Sequence, residues 1–259
     1  MQPLLDADVL LYEIGFAAET GWKGESNPPF DYVSELLDNR IGNICGVVGA
    51  TSSPILYLTG KTNFRNDIAK LHPYKKRPSH KPLHYYNIKA YIQGKYDYRI
   101  TEGLEADDLM AIEQTSRATE TIICTRDKDL RQVPGWHYGW ELANQPQFGP
   151  ELVDDVGYIK LSKDRKKVSG VGMLFFYAQL LTGDAVDTIP GLPKCGPVAA
   201  FNILANSNTP AEALKAVYGA YKACYGLSGY KEMLEQGRLL YMTRKLREDG
   251  TPVLWGQSQ

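Results

Sequence analysis

Carboxylates hold most of the positions in this chain that could do chemistry, and they fall in three short runs. The first is Gly103-Leu104-Glu105-Ala106-Asp107-Asp108, the second Thr125-Arg126-Asp127-Lys128-Asp129, and the third Leu181-Thr182-Gly183-Asp184-Ala185-Val186-Asp187. A fourth acidic position, Asp6, follows Leu4-Leu5. Each run crowds like charges beside an apolar stretch, and burying such charges uncompensated costs on the order of several kcal/mol. A fold that gathers the runs therefore needs cations. All-oxygen donor sets suit hard divalent ions, magnesium or manganese, which keep several waters and bind substrate phosphates. A single Asp-x-Asp is more often a turn or a solvated helix start. It is the recurrence of the pattern that points to metal.

These acids need elements to position them. Met1–Leu5 is a short apolar start ending at Asp6, and a helical pattern follows through Leu10 and Ile14, with Asp8 expected as its N-cap. Strand, acid, helix is the α/β arrangement that places ligand groups at the carboxyl ends of parallel strands. Further helices are expected over Tyr32–Cys45, Tyr85–Tyr98, Glu105–Ser116, Phe175–Leu181, Ala211–Tyr225 and Tyr230–Arg247, and buried strands over Pro54–Leu58 and Thr121–Thr125. Glu105 and Asp108, three apart, share a helical face. The stretch from Gln132 to Gly149 fits a hairpin or a loop equally. Gly191 and Gly196 are expected to frame a tight turn between two helices, the second opening at Pro197. Backbone N–H groups at such a turn can hold a phosphate without reading bases.

The net charge of −1 hides an asymmetry. Between Lys61 and Arg99 there are ten Lys/Arg and two acids, a balance of +8, so the remainder carries −9. A basic segment facing a polyanion and an acidic pocket holding metal would produce that split. Prolines 73, 78 and 82 interrupt this segment, and tyrosines 85, 86, 91, 96 and 98 interleave with its lysines, as a phosphate-tracking, base-stacking surface requires. The competing account is a solvated Lys-rich face with tyrosines packed beneath it. His72, His80 and His84 show no clustered metal-ligand spacing and are expected at the surface or facing phosphate. Cys45, Cys124, Cys195 and Cys224 are scattered, which argues against zinc and for reduced thiols. No run approaches 18 apolar residues and no leader pattern opens the chain, so a soluble protein of a reducing compartment is expected, with no membrane partner.

Taken in order, Asp6, Asn63-Phe64-Arg65, Tyr74-Lys75, Leu104–Asp108, Thr125–Asp129, Gly183–Gly191 and the Gly191–Gly196 turn resemble the flap endonuclease/5′→3′ exonuclease superfamily. The likeness is to the short form found in bacteriophages and in the 5′-nuclease domain of bacterial DNA polymerase I, and it covers nearly the whole chain. The resemblance implies a PIN-like α/β fold, with a central, mostly parallel sheet flanked by helices, a helical arch and a C-terminal helix-hairpin-helix. It implies a nuclease core over 1–170, with a basic arch at about 71–98, and a DNA-binding region over 171–259. Asp6, Glu105, Asp107 and Asp108 match the first group of metal ligands. Asp127 and Asp129 match the shared carboxylates, and Asp184 and Asp187 the second group. Arg65 and Lys75 match the gateway residues that act on the scissile phosphate. Lys61, Lys76, Arg77, Lys81, Gly191, Lys194 and Gly196 are the expected DNA contacts. The cofactors implied are two Mg2+ ions, with Mn2+ substituting, and K+ at the hairpin.

The implied reaction is two-metal hydrolysis of DNA at 5′ flaps, nicks or ends, without a protein nucleophile. The setting implied is phage DNA replication or degradation by a cytoplasmic monomer, in the host's cytoplasm if phage-encoded, with replication proteins as partners. An RNase H-like nuclease acting on RNA–DNA hybrid, and a structure-specific DNA-binding protein without catalysis, are the alternatives. One departure stands out. The family places an Asp shortly before Phe-Arg, where this chain reads Leu58-Thr59-Gly60. Weaker binding of the first metal is therefore expected, and Gly60→Asp is expected to relieve it.

Overall fold

The computed structural model describes residues 1–75, 80–143 and 145–257. The chain divides into two compact units, each interleaved in sequence. The first comprises residues 1–62, 78–128 and 135–152, and the second residues 63–77, 129–134 and 153–259. The boundary expected near residue 170 thus falls inside the second unit. The division also sorts charge. The first unit has 10 Lys/Arg against 18 Asp/Glu, a net of −8, and the second 19 against 12, a net of +7.

The first unit is built on a six-stranded, mostly parallel sheet. In chain order its elements are β1 (Gln2–Asp6), α1 (Ala7–Gly21), α2 (Phe30–Val47) and β2 (Ile55–Thr59). A four-residue helix, α3 (Arg65–Ile68), belongs to the second unit. The first unit continues with α4 (Tyr85–Lys95), β3 (Tyr98–Thr101), α5 (Ala106–Arg117), β4 (Thr121–Cys124), β5 (Gly135–Gly139) and β6 (Phe148–Val153). The strand order is β3-β2-β1-β4-β5-β6. β1 pairs in parallel with both β2 and β4, and β2–β3 and β4–β5 are parallel as well. The chain therefore builds outward from β1 on one side, returns, and builds outward again from β4. The β1/β4 boundary is the topological switch point, where an open α/β sheet leaves a crevice at the strands' carboxyl ends.

Local chemistry accounts for these elements. Asp6, not Asp8, caps α1, its Oδ1 accepting the Val9 N–H at 3.1 Å. Leu10, Leu11, Ile14 and Ala18 of α1 and Val33, Leu37, Ile41 and Ile44 of α2 form helical stripes in one apolar core with Leu5, Leu56, Leu58 and Ile122. α4 ends earlier than its apolar spacing suggests, and Tyr98 begins a strand. Tyr91, Tyr96 and Lys95 of that stretch are committed to packing. The Tyr91 hydroxyl (2.9 Å), the Tyr96 hydroxyl (2.5 Å) and Lys95 Nζ (2.6 Å) all converge on Asp38 of α2. The solvated, packed account holds for them over the base-stacking one.

In the second unit a two-stranded antiparallel ribbon, β7 (Tyr158–Leu161) and β8 (Val168–Val171), leads into α6 (Gly172–Thr182), followed by α7 (Pro197–Leu204), α8 (Pro210–Tyr225) and α9 (Gly229–Leu240). α6 is buried from Gly172 to Leu181, so its apolar residues face neighbours all round. α7, α8 and α9 supply Leu204, Val217, Met233 and Leu239 to the core around it. Thr209 caps α8 through the Glu212 N–H, with Pro210 in the first turn. α9 stops at Leu240 instead of running to Arg247.

The end of α9 is closed by side chains from far upstream. Arg65 is fully buried, its Nε donating to the Leu239 carbonyl and its Nη2 to the Tyr241 carbonyl, both at 2.9 Å. Gln132 donates to the Leu240 carbonyl (2.9 Å) and accepts the Met242 N–H (3.0 Å). Helix ends leave carbonyls without intrahelical partners, and a guanidinium there also meets the negative end of the helix dipole. Arg65→Ala strands two buried carbonyls and is expected to lower the unfolding free energy by about 3 kcal/mol or more. Lys75→Ala, on a far more exposed side chain, should cost less than about 1 kcal/mol. Denaturant titration of the two variants checks the contrast.

Candidate functional site

In the first unit Asp6 lies at the carboxyl end of β1 and Asp127 just past that of β4, while Glu105, Asp107 and Asp108 sit at the start of α5. Asp6 closes β1 and is buried. Thr125 follows β4, its hydroxyl donating to Asp6 Oδ2 at 2.6 Å and accepting the Asp127 N–H at 2.9 Å. One threonine thus links the two strand ends across the switch point and sets the backbone of Asp127. Asp8, expected as a cap, instead accepts the Thr59 N–H at 3.0 Å, where β2 ends. Burial pushes the Asp8 carboxyl up, against the opposing hydrogen bond from Thr59. Thr59 also accepts the Ala106 N–H through its hydroxyl at 2.9 Å, tying β2 to the start of α5. There Glu105 is the N-cap, Asp107 lies in the first turn, and buried Asp108 accepts the Glu105 N–H at 3.3 Å. Thr125 and Asp8 were both missed as site residues. Their signal was position, one residue past an apolar strand and two past Asp6.

Gly60 shows why this chain lacks a carboxylate after β2. A Cβ built there would sit 2.4 Å from the Thr101 carbonyl oxygen and 3.1 Å from Glu102 Oε1. The loop belongs to Glu102, whose Oε2 accepts the N–H groups of Lys61 (2.9 Å) and Thr62 (3.0 Å) and the Thr62 hydroxyl (3.0 Å). The expected benefit of Gly60→Asp therefore fails on sterics, because the first obstacle is backbone. That substitution should instead destabilise by about 1–3 kcal/mol and leave any magnesium requirement no lower. Thermal melts with and without magnesium decide this.

The second unit carries the remaining candidates. Asp129 opens the turn after β4 and accepts a short hydrogen bond from the Gln179 side chain of α6. Asp184 is buried and folds its own loop, its Oδ1 accepting the N–H groups of Val186 (2.8 Å) and Asp187 (3.3 Å). Lys75 donates its N–H to the Asp187 carbonyl at 3.2 Å and holds its Nζ 3.8 Å from Asp187 Oδ1. Arg65, expected at a scissile phosphate, is fully buried and donates to two carbonyls at the end of α9. Lys76 and Arg77 lie outside the described residues.

Between α6 and α7 the tight turn is in fact a longer connection, from Gly183 to Gly196, that includes both Asp184 and Asp187. Gly191 is required there. Its φ is +71°, and a Cβ would lie 2.3 Å from the Gly183 nitrogen. Gly196 is extended, with open space where a Cβ would go. Exposed Lys194 has a left-handed backbone, φ 60°. Lys61 is also exposed, while Lys81 lies over the rings of Tyr85 (4.4 Å) and Tyr86 (4.7 Å). His72 and His84 are half-buried and bonded to Glu232 and to the Pro28 carbonyl, which is a packing role.

The carboxylate oxygens of both units have the right chemistry for a hard divalent ion. Among the described residues, however, no three Asp, Glu, His or Cys side chains converge closely enough to hold one. Most of the acids are spent on caps and turns. Asp6 shows the cost, its pKa pushed up to about 6, first by burial and next by the Asp8 charge, against the Thr125 and Val9 hydrogen bonds. The folded protein thus keeps this proton to higher pH than the unfolded chain. The group's contribution to stability is present below pH 4 and lost as pH rises to about 6, a change of about 3 kcal/mol. Without metal, stability of the native sequence minus that of Asp6→Asn should fall across that window. A difference that stays flat from pH 4 to 7 in denaturant titrations would contradict it.

No family model matches the chain. The 5′-3′ exonuclease of Buchnera aphidicola subsp. Schizaphis graminum (strain Sg) is 25% identical over 226 residues, 78% of this chain and 68% of that protein. DNA polymerase I of Rhizobium leguminosarum is 31% identical over 110 residues, 40% of this chain and 10% of that protein. Among solved structures, the T5 D15 protein co-crystallized with metal ions superposes with a TM-score of 0.55 at 13% identity, over 92% of this chain and 88% of that one. The bacteriophage T5 D15 flap endonuclease, in a pseudo-enzyme-product complex with DNA and metal ions, gives 0.51 at 12% identity, over 92% and 98%. No helix among the described residues is long and apolar enough to cross a membrane. The motif order, the strand order and these likenesses agree: the chain is similar in sequence to a 5′-3′ exonuclease and to part of a DNA polymerase I, and in fold to the T5 D15 protein.

Proposed function

We propose that the protein is a divalent-metal-dependent 5′ nuclease that hydrolyses DNA phosphodiester bonds at 5′ flaps, nicks and ends. The observation that carries this reading is the Asp6–Thr125–Asp127 link at the β1/β4 switch point. It puts acids of two motifs where an α/β sheet binds its ligand. The likeness to a flap endonuclease crystallized with DNA and metal ions supports the choice of substrate and cofactor.

Asp6, Glu105, Asp107, Asp108 and Asp127 in the first unit, and Asp129, Asp184 and Asp187 in the second, are the residues that would hold two Mg2+ ions. When bound, such ions supply an activated water and a counter-charge for the leaving oxygen. Thr125 keeps Asp6 and Asp127 in register. Lys75 places a positive charge for the phosphate, where it offsets the charge that grows in the transition state. Lys61, Lys81 and Lys194, all exposed, would meet DNA phosphates, and the helix-hairpin-helix role of the 191–196 stretch, with its K+, belongs to the same proposal. The balance of the second unit, +7, favours a polyanion. A role in phage replication, with replication proteins as partners, follows from the family alone.

Asp127→Ala or Asp129→Ala should lower cleavage of a labelled 5′-flap DNA by at least ~10³ with flap binding retained, since a broken metal bridge removes charge stabilisation from the reacting phosphate. Nicked duplex and RNA–DNA hybrid run alongside decide the substrate class. Flap binding without cleavage at any magnesium or manganese concentration would establish the binding-only alternative.

A further inference from the structure

Three polar side chains of α9 tie the helix to the two stretches that carry Lys75 and Asp187. Glu235 is buried, and its Oε1 accepts three consecutive backbone N–H groups, from Lys70 (3.0 Å), Leu71 (2.6 Å) and His72 (3.2 Å). One turn earlier, Glu232 Oε2 lies 3.0 Å from His72 Nε2. Gln236 is fully buried, and its Oε1 accepts the Gly191 N–H at 2.8 Å. Adjacent residues of one helix thus hold the segment that runs into Lys75 and the loop that runs out of Asp187. Lys75 and Asp187 then bond to each other, backbone to backbone at 3.2 Å and Nζ to Oδ1 at 3.8 Å. The bonds form a closed ring, from Glu235 through residues 70–75 to Asp187, then through Gly191 to Gln236.

Ordinary helix packing does not need such a ring, because apolar contacts would anchor the segment as well. A buried carboxylate is costly unless N–H groups meet its charge. Hydrogen bonds to it are directional, so it orients the amides it holds. Lys75 adds an independent sign. Its φ of 44° is left-handed for a residue with a side chain, a conformation that persists only where the surroundings over-determine it.

We propose that Glu235 and Gln236 are positioning residues for the nuclease reaction: they set Lys75 in register with Asp187, so that the ammonium meets the phosphate in one orientation. The proposal rests on the nuclease reading above. Neither residue touches substrate, and each acts through the segment it holds.

A double-mutant cycle tests it. Glu235→Ala should lower kcat on 5′-flap DNA about 10- to 100-fold, the scale of a small misplacement of a reacting group. Flap affinity measured without divalent ions should hardly move. In a Lys75→Ala background the same substitution should change kcat less than about twofold, because the coupled partner is already gone. Glu235→Gln, which keeps an acceptor oxygen, should recover part of the rate and serves in the cycle if the alanine variant does not fold. Additive losses, or a Lys75→Ala protein with unchanged kcat, would overturn the proposal. Amide hydrogen exchange gives a readout that needs no activity. In Glu235→Ala the amides of Lys70, Leu71, His72 and Lys75 should lose protection, while those of buried Val217 and Tyr221 in α8 keep theirs. A Lys75 amide that stays protected would refute the ring. If the native protein cleaves no DNA, the nuclease reading falls while the exchange result still decides whether α9 sets Lys75.

Discussion

Buried backbone groups must find partners, and in the second unit that requirement settles where the functional segments go. The last carbonyls of α9 have no intrahelical acceptor role left to play, so Arg65 and Gln132 take them. Both side chains come from segments distant in sequence, so capping the helix also fixes the stretch leading to Lys75 and the turn opening with Asp129. The arginine that motif order assigns to a phosphate is thereby spent on protein. Lys75 lies nearer the surface, with its ammonium beside the Asp187 carboxylate.

The first unit solves a different problem. A parallel sheet whose chain reverses its building direction at β1/β4 leaves strand ends that must be both buried and polar. Thr125 satisfies Asp6 and the Asp127 N–H with one hydroxyl. The satisfaction is incomplete, because burial still lifts the Asp6 pKa to about 6. A cation at that edge would reverse the penalty, since it favours the ionised carboxylate. The same edge explains the chain's departure at Gly60. Its neighbours Thr101 and Glu102 take the space that a side chain there would need, and Asp8 reaches the end of β2 from α1 instead.

Charge follows the division into units. An acid-rich body carries most of the candidate metal ligands and a cation-rich body carries Lys75, Lys194 and the Gly191 loop. The count along the sequence found only part of this. It assigned the positive charge to residues 61–99, yet Lys89, Lys95 and Arg99 belong to the acid-rich unit, and Lys95 is committed to Asp38 there.

The order of the acids, the apolar strands before them and the helical stripes of α1, α2, α5 and α8 were legible in the sequence. Each depends on spacings of a few residues and on apolar burial, which act locally. Hence the mostly parallel α/β fold and the resemblance to 5′ nucleases came from residue order alone. The β7–β8 ribbon, the strand at Tyr98 and the early stop of α9 were not legible, because partners far along the chain decide them. Asp6, not Asp8, is the cap because α1 begins at Ala7, which puts Asp8 inside the first turn. Arg65 is buried where the end of α9 offers carbonyls for it to pair. Whether a polar side chain faces a ligand or closes a helix depends on which unpaired groups the fold brings to it, and only the tertiary structure holds that information.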